Sequence, residues 1–359
     1  MSIHFHPVTV KEVRQETPDC VSVVFDIPAS LQQDFSFIQG QSLTLRTILN
    51  GEELRRTYSL CSSPLDKEWR VAIKKVENGL FSRHANETLK KGDQLELMPP
   101  VGNFYTELNV ANRKQYLAFA AGSGITPVLS LIKTTLACEP HSEFTLVYGN
   151  RNRQSIIFFE ELEGLKNKYM DRFTLIHVLS REKTDTPLNF GRITVEKLDE
   201  LQHLIDYAGT DDFFLCGPEE MIFCVKDYLE LAGIDRKKIH FELFTSPGQA
   251  KKTGATERKQ VHTGAISRIT IKLDGRSLDI SLPLNSDTTL LDAALQQGAD
   301  LPYACKGGMC CTCKAKLLEG EVSMDVHWGL EEEEVEKGFI LTCQSHPKTE
   351  KVVVDFDIR

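Results

Sequence analysis

The stretch Leu301-Pro302-Tyr303-Ala304-Cys305-Lys306-Gly307-Gly308-Met309-Cys310-Cys311-Thr312-Cys313 holds cysteines at C-x4-C-x2-C spacing, and Leu341-Thr342-Cys343-Gln344 supplies another thirty positions later. This spacing suits a [2Fe–2S] cluster, where each of two ferric ions needs two thiolates and one loop must supply most of them. Gly307 and Gly308 let that loop curl so that amide donors point at the sulfurs. Cys305, Cys310, Cys313 and Cys343 are the expected metal ligands. Cys311 is extra and is read as a free thiol turned away from the iron, the alternative being that it replaces a neighbouring ligand. Zinc is the weaker reading, because zinc sites favour paired C-x2-C knuckles and the second pair is missing. A disulfide framework conflicts with the compartment inferred below.

Outward from the cysteines, residues 266–359 form a unit of their own. Ile269-Thr270-Ile271-Lys272-Leu273 and Ser277-Leu278-Asp279-Ile280 flank Asp274-Gly275, a hairpin signature. A short helix is expected at about Thr289–Gln297, capped by Ser286 or Asp287. Upstream, residues 245–265 contain Pro247, Gly248, Gly254 and Gly264 without hydrophobic period, and read as a linker. Residues 109–244 alternate apolar strands, such as Tyr116-Leu117-Ala118-Phe119-Ala120 and Phe144-Thr145-Leu146-Val147-Tyr148, with helical stretches such as Pro127–Ala137. That rhythm predicts an α/β unit with a parallel sheet. Residues 1–108 show short alternating runs, Val21–Phe25, Ser42–Leu45 and Arg70–Val76, punctuated by Asn50-Gly51 and Lys91-Gly92-Asp93. They predict a small antiparallel β-barrel. Three units also suit a chain of 359 residues, which exceeds what one core usually supports.

Residues 266–359 resemble a plant-type ferredoxin domain, an α+β unit of the β-grasp type. Arg56-Thr57-Tyr58-Ser59 resembles the R-x-Y-S motif of the ferredoxin–NADP+ reductase superfamily. A planar Arg fork suits a phosphate, a Tyr ring stacks well on an isoalloxazine, and a Ser hydroxyl can reach the flavin N5 region. Gly79-Leu80-Phe81-Ser82 resembles the same family's G-x-x-S phosphate loop at a helix start, with Gly79 and Ser82 as contacts. Pro100-Val101-Gly102-Asn103-Phe104 resembles the last strand of its barrel. Val71, Ile73 and Lys74 fall where the family touches the rest of the dinucleotide. The resemblance implies FAD in preference to FMN.

Ala121-Gly122-Ser123-Gly124-Ile125-Thr126-Pro127 lies between a strand and a helix. Gly122 and Gly124 permit close backbone approach to a pyrophosphate, and Pro127 suits a first helical turn. The bland alternative is a tight turn. The resemblance places Thr126 near the flavin and nicotinamide rings. It places Cys216, in Cys216-Gly217-Pro218, beside the nicotinamide C4, and sets Glu242 and Phe244 over the flavin's other face. Tyr58, Ser59, Thr126 and Cys216 are thus the expected catalytic group. The strand ending Tyr148-Gly149-Asn150-Arg151 lacks the acid that would hold an NAD ribose. Ser180-Arg181 instead resembles the pair that holds a 2′-phosphate in NADP-dependent relatives, with Arg192 to assist, so NADPH is expected over NADH. Isolated histidines, among them His84, His177, His240 and His346, read as core or surface groups.

The formal net charge is −9, and the one basic cluster, Lys251, Lys252, Arg258 and Lys259, falls in the linker, so nucleic acid is not an expected partner. The N-terminus lacks the basic start and apolar run of a signal peptide, and no apolar run is long enough to span a bilayer. No membrane association and a cytoplasmic location are expected. Residues 266–359 contain 16 Asp/Glu against 10 Lys/Arg, with acids running Glu331–Glu334. Such charge steers a basic partner or simply solvates a helix.

The three expected sites share one logic. NADPH gives electrons in pairs, a [2Fe–2S] cluster takes them singly, and a flavin does both. Across nearly its whole length the chain resembles the reductase components of bacterial phenylacetyl-CoA epoxidase systems. That resemblance implies an NAD(P)H oxidoreductase whose acceptor is a di-iron oxygenase. The alternatives are another acceptor, such as a Rieske dioxygenase, an alkane or fatty-acid hydroxylase or a hybrid-cluster protein, and a non-catalytic electron carrier.

Overall fold

Alternating apolar residues build the first sheet. In the computed structural model, which describes residues 4–244, 265–284 and 286–358, strands β1 (His6–Thr17), β2 (Cys20–Asp26), β3 (Ser42–Leu49), β4 (Glu52–Ser59), β5 (Trp69–Lys74) and β6 (Gln94–Leu97) pair in the order β4-β3-β6-β1-β2-β5. An antiparallel bridge between Leu60 and Val71, with Cys61 N–H donating to Arg70 O at 2.8 Å, joins the two ends. The sheet thereby closes into the expected antiparallel barrel around Val10, Val23, Leu43, Leu45, Val71 and Ile73. Asn50 and Gly51 both adopt positive φ, 56° and 81°, and turn β3 into β4 with the hand that matches strand twist. Helix α1 (Leu80–Glu87) follows β5.

The second sheet is parallel throughout. Strands β7 (Gln115–Ala121), β8 (Glu143–Asn150), β9 (Phe173–Leu179), β10 (Asp212–Gly217) and β11 (Ile239–Leu243) lie in the order β11-β10-β7-β8-β9. Helices α2 (Ile125–Cys138), α3 (Phe159–Lys168), α4 (Val195–Leu201) and α5 (Glu219–Leu231) connect or flank them. The barrel and this sheet belong to one compact unit and share a core. Cys20, Cys61 and Ala72, on the barrel's outer face, join Val128, Leu131, Ile132 and Leu136 of α2 and Phe144, Leu146 and Tyr148 of β8. Sharing explains why β2 is buried at nearly every position and why α2 is buried all round, Ser130 and Thr134 included.

The second unit, after residue 264, is an α+β fold. Its sheet runs β13 (Arg276–Pro283), β12 (Ile266–Leu273), β18 (Lys351–Asp355), β14 (Lys314–Glu319), β16 (Phe339–Leu341). The central β12–β18 pair is parallel and the outer pairs are antiparallel. A separate small pair joins β15 (Val322–Met324) to β17 (Ser345–Pro347). Helix α6 (Leu290–Gln296) packs Leu290, Leu291 and Ala294 with Ile269, Ile271, Val352 and Val354, and α7 (Glu332–Glu336) carries the acidic run. The cap of α6 corrects the sequence reading. Thr289 Oγ1, not Ser286 or Asp287, accepts the Asp292 N–H at 3.1 Å, while Ser286 Oγ accepts from Thr288 N. The linker expected over 245–265 lies, apart from Ala265, outside the described residues, as does its basic cluster.

One buried carboxylate ties the parallel sheet to the chain that enters it. Glu139, just past α2, accepts from Asn109 N (3.0 Å), Asn112 Nδ2 (2.6 Å), Tyr116 Oη (3.0 Å) and Ser142 Oγ (2.7 Å). Burial first, and this bond second, raise the Tyr116 phenol far above its ordinary pKa. Glu139→Ala strands those donors and is expected to cost roughly 2–4 kcal/mol of unfolding free energy, read by urea denaturation. A change below about 0.5 kcal/mol, the range of an ordinary surface substitution, would contradict this role.

Candidate functional site

The ends of β4, β10 and β11 meet above the two sheets of the first unit. Ser59 Oγ donates to Glu242 Oε2 at 3.0 Å, and Glu242 is the register partner of Cys216. Cys216 is fully buried, and burial first, then the Glu242 carboxylate, push its thiol well above the ordinary range. The thiol therefore stays neutral and presents a small, polarisable surface. Gly124 brings the β7–α2 loop against this corner. A Cβ built on it would lie 2.0 Å from Cys216 O and 2.7 Å from Gly217 N, both backbone atoms. The contact falls where β7 and β10 are neighbours and their connections depart in opposite directions, the switch point at which doubly wound sheets bind ligands. Thr126 is buried in the first turn of α2, with Oγ1 donating to Ser123 O at 3.0 Å, and Pro127 fills that turn. Tyr148 Oη donates to Gly122 O at 2.9 Å.

On the barrel side, Arg56, Thr57, Tyr58 and Ser59 all lie on β4. The Tyr58 ring is half-buried, 5.8 Å from Phe81 and tilted 34° to it. Arg56 Nη1 donates to Arg55 O at 2.7 Å. Gly79 is the N-cap of α1, and Ser82 Oγ donates to Gly79 O (3.3 Å) and accepts from Val76 N (3.2 Å). A Cβ on Gly79 would strike Ser82 Oγ at 2.3 Å. This tight turn with backbone donors at a helix start fits a phosphate. Val71 and Ile73 point into the barrel core, so only their backbone can reach a ligand. Lys74 Nζ stands 3.6 Å from Asp19 Oδ2 and 3.9 Å from a Cβ built on Gly122, which places its charge at the glycine loop.

The coenzyme-selective residues gather at the ends of β8 and β9. Ser180 N–H donates to Asn150 O (2.9 Å) and Arg181 N–H to Arg151 O (2.8 Å), so the strand pairing runs on past β9. A Leu179–Phe190 bridge and Gly191 N–H to Leu179 O (3.0 Å) bring Arg192 back beside the same edge. Arg181 and Arg192 are exposed. Phe244, one residue past β11, is exposed at 44% and is not drawn into the Ser59–Glu242–Cys216 group. Sequence reasoning missed Asn150, buried at the end of β8, whose backbone O accepts the Ser180 N–H. Its signal was a carboxamide ending an apolar strand.

In the second unit the four cysteines pair two and two. The thiols of Cys305 and Cys310 are close neighbours, as are those of Cys313 and Cys343. The Cys310 thiol first, then N–H groups of Cys310, Gly307 and Met309, outweigh burial and bring Cys305 down to about 6. The Gly307 and Cys310 donors lie 3.3 and 3.5 Å from its sulfur. Two thiols per metal, with amides aimed at sulfur, is what a [2Fe–2S] cluster requires. Among the described residues no three His, Cys, Asp or Glu side chains converge as a single ion would need. Gln344 donates from Nε2 to Lys306 O (2.9 Å) and Cys343 Sγ (3.6 Å). Cys311 turns aside. Its Sγ–H donates to Gly329 O at 2.8 Å, and burial pushes it up to about 12.

Residues 7–105 match the oxidoreductase FAD-binding domain family, 119–227 the oxidoreductase NAD-binding domain family, and 271–348 the 2Fe-2S iron-sulfur cluster binding domain family. The chain is 45% identical over 356 residues to a subunit of the 1,2-phenylacetyl-CoA epoxidase of Escherichia coli (strain K12), covering 99% of this chain and 98% of that one. It belongs to this family of three-part FAD, NAD and [2Fe–2S] reductases. It is an NAD(P)H oxidoreductase with FAD and one [2Fe–2S] cluster as cofactors. It is also 34% identical over 353 residues to the 3-ketosteroid-9-alpha-monooxygenase, ferredoxin reductase component, of Rhodococcus rhodochrous, covering 97% of this chain and 96% of that one. Among solved structures, phthalate dioxygenase reductase shares the fold, with a TM-score of 0.57 at 22% identity over 98% of both chains.

The approach at Gly124 is testable. In Gly124→Ala the new methyl meets backbone that no rotamer change can relieve. The nicotinamide coenzyme Kd is expected to rise about tenfold or more, since a misplacement near 1 Å costs that much or more. Titration of the oxidised protein reads it, and a Kd within twofold of the parent would show that the loop tolerates displacement.

Proposed function

We propose that this chain takes electrons from NADPH and delivers them singly to the di-iron oxygenase that epoxidises the ring of phenylacetyl-CoA. The observation that carries this reading is the 45% identity, over nearly the full length of both chains, to a subunit of a phenylacetyl-CoA epoxidase. A second acceptor class, another oxygenase, is supported by the 34% identity to a ketosteroid monooxygenase reductase. Residues 1–108 serve as the FAD domain, 109–244 as the nicotinamide domain and 266–359 as the cluster domain. When bound, FAD accepts a hydride and releases single electrons, the step size that a [2Fe–2S] cluster takes.

The chain's own residues position and tune. Arg56, Thr57, Gly79 and Ser82 hold the flavin's phosphates, Tyr58 covers its ring, and Lys74 neutralises charge at the glycine loop. Ser59, oriented by Glu242, presents its hydroxyl where hydride arrives. Cys216 leaves space for the nicotinamide and stays an uncharged thiol in that buried corner. No acid–base pair is needed. Cys305 and Cys310 hold one iron and Cys313 and Cys343 the other, a division supported by their thiol pairing. Ser180, Arg181 and Arg192 select NADPH over NADH, supported by their shared edge beside β8 and by Asn150 standing where an acid would favour NADH. A cytoplasmic location is supported by ten free cysteines. Among the described residues, no helix is long and apolar enough to cross a membrane.

Anaerobically purified protein, mixed with the di-iron epoxidase and phenylacetyl-CoA, is expected to consume NADPH in step with epoxide formation. Electrons reaching a ketosteroid-type oxygenase but not the epoxidase would reassign the acceptor. Replacing Ser180 and Arg181 together by Ala is expected to raise KM for NADPH roughly ten- to a hundredfold, the loss of charge-assisted bonds to a phosphate, with little change for NADH. Equal effects on both coenzymes would remove the NADPH preference.

A further inference from the structure

Helix α2 presents three polar side chains to the barrel at i, i+3 and i+4 spacing, Ser130, Lys133 and Thr134. Each meets the connection that leads from β4 to β5. Ser130 Oγ donates to Ser62 O at 2.6 Å, both residues being fully buried. Thr134 Oγ1 donates to Ser130 O at 2.7 Å, so its one proton is committed, and in the 2.9 Å contact between Ser63 Oγ and Thr134 Oγ1 the donor is Ser63. Lys133 Nζ lies 2.6 Å from Asp66 Oδ2 and 2.8 Å from Glu161 Oε1. Glu161, on α3, then grips the buried Arg70 of β5 through both carboxylate oxygens, at 2.9 and 2.7 Å.

This staple spans a short route between the two halves of the proposed hydride site. Ser62 lies three residues beyond Ser59, and Ser130 one helical turn beyond Thr126. Beneath it, Cys20, Cys61 and Ala72 meet α2 through apolar contacts. Apolar contact holds surfaces together but is not directional, so it leaves sliding inexpensive. Hydrogen bonds and hydrogen-bonded ion pairs fix distance and angle. We propose that Ser130, with the Lys133–Glu161–Arg70 ion pairs, acts as a positioning group that sets the separation between the flavin-bearing end of β4 and the nicotinamide-bearing start of α2. It binds neither ligand, and its role rests on the hydride-transfer function proposed above.

The test compares Ser130→Ala and Glu161→Gln with the parent protein in three measurements. The limiting rate of flavin reduction at saturating NADPH, followed anaerobically by stopped flow, is expected to fall about tenfold, because reacting atoms displaced by a fraction of an ångström lose that much. The coenzyme Kd, titrated against oxidised protein, is expected to stay within about twofold, since neither side chain touches the ligand. Amide hydrogen exchange over residues 122–134, measured without coenzyme, is expected to accelerate. A limiting rate within twofold of the parent, a Kd that rises as far as the rate falls, or unchanged exchange overturns the proposal. Glu161→Gln sits at the outer end of the staple, so it still decides the matter if Ser130→Ala fails to fold. Should the parent itself fail to oxidise NADPH, the functional reading falls, while the exchange measurement still judges the staple.

Discussion

A hydride moves only when donor and acceptor atoms stand about 3–3.5 Å apart, and in this chain that constraint falls on two sheets folded from different stretches of sequence. The barrel carries Tyr58 and Ser59, and the parallel sheet carries Gly122–Thr126 and Cys216. Neither sheet has a reason of its own to respect the other's position. The structure meets the constraint in layers. A common apolar core unites the two, with α2 buried on every side between them. Above that core, Gly124 gives up its side chain so that the glycine loop can lie against the end of β10. The Ser59–Glu242 hydrogen bond then ties the barrel's strand end to the last strand of the parallel sheet.

Ten cysteines show how far environment decides the behaviour of one side chain. Cys61 and Cys216 are buried among apolar groups without amide donors, so their thiols are pushed up, Cys61 to about 12. A neutral thiol is inert, and it suits a corner that must admit an uncharged ring. Cys305 is half-buried, and the Cys310 thiol first, then N–H donors from its own loop, draw its thiol below the ordinary range. A loop that already stabilises negative sulfur is prepared for ferric ligation and helps set the potential of what it holds. Cys311, between two such ligands, is removed from their company by a positive φ of 55° and a hydrogen bond to Gly329 O. Chemical identity is the same in all of these positions, and backbone geometry separates structural, spatial and ligating roles.

The cysteine spacing, the Asn50-Gly51 and Asp274-Gly275 turns and the change from strand periodicity to strand–helix alternation are local properties. They were legible in the residue order alone, because each is enforced by sterics or ligand geometry within a few residues. They carried the fold class and the cluster loop. The cap of α6 was misread because Ser286, Asp287 and Thr289 are all competent caps, and packing of Leu290 and Leu291 decides which residue starts the helix. Other features were beyond local reading altogether. Ser59 and Glu242 are 183 positions apart, the Gly124–Cys216 approach joins two crossovers, and Ser130 looks like a polar residue on a helix surface until the barrel covers it. Such contacts depend on how finished sheets pack. Packing is settled by summed apolar area over the whole core, a quantity that no short stretch of sequence contains.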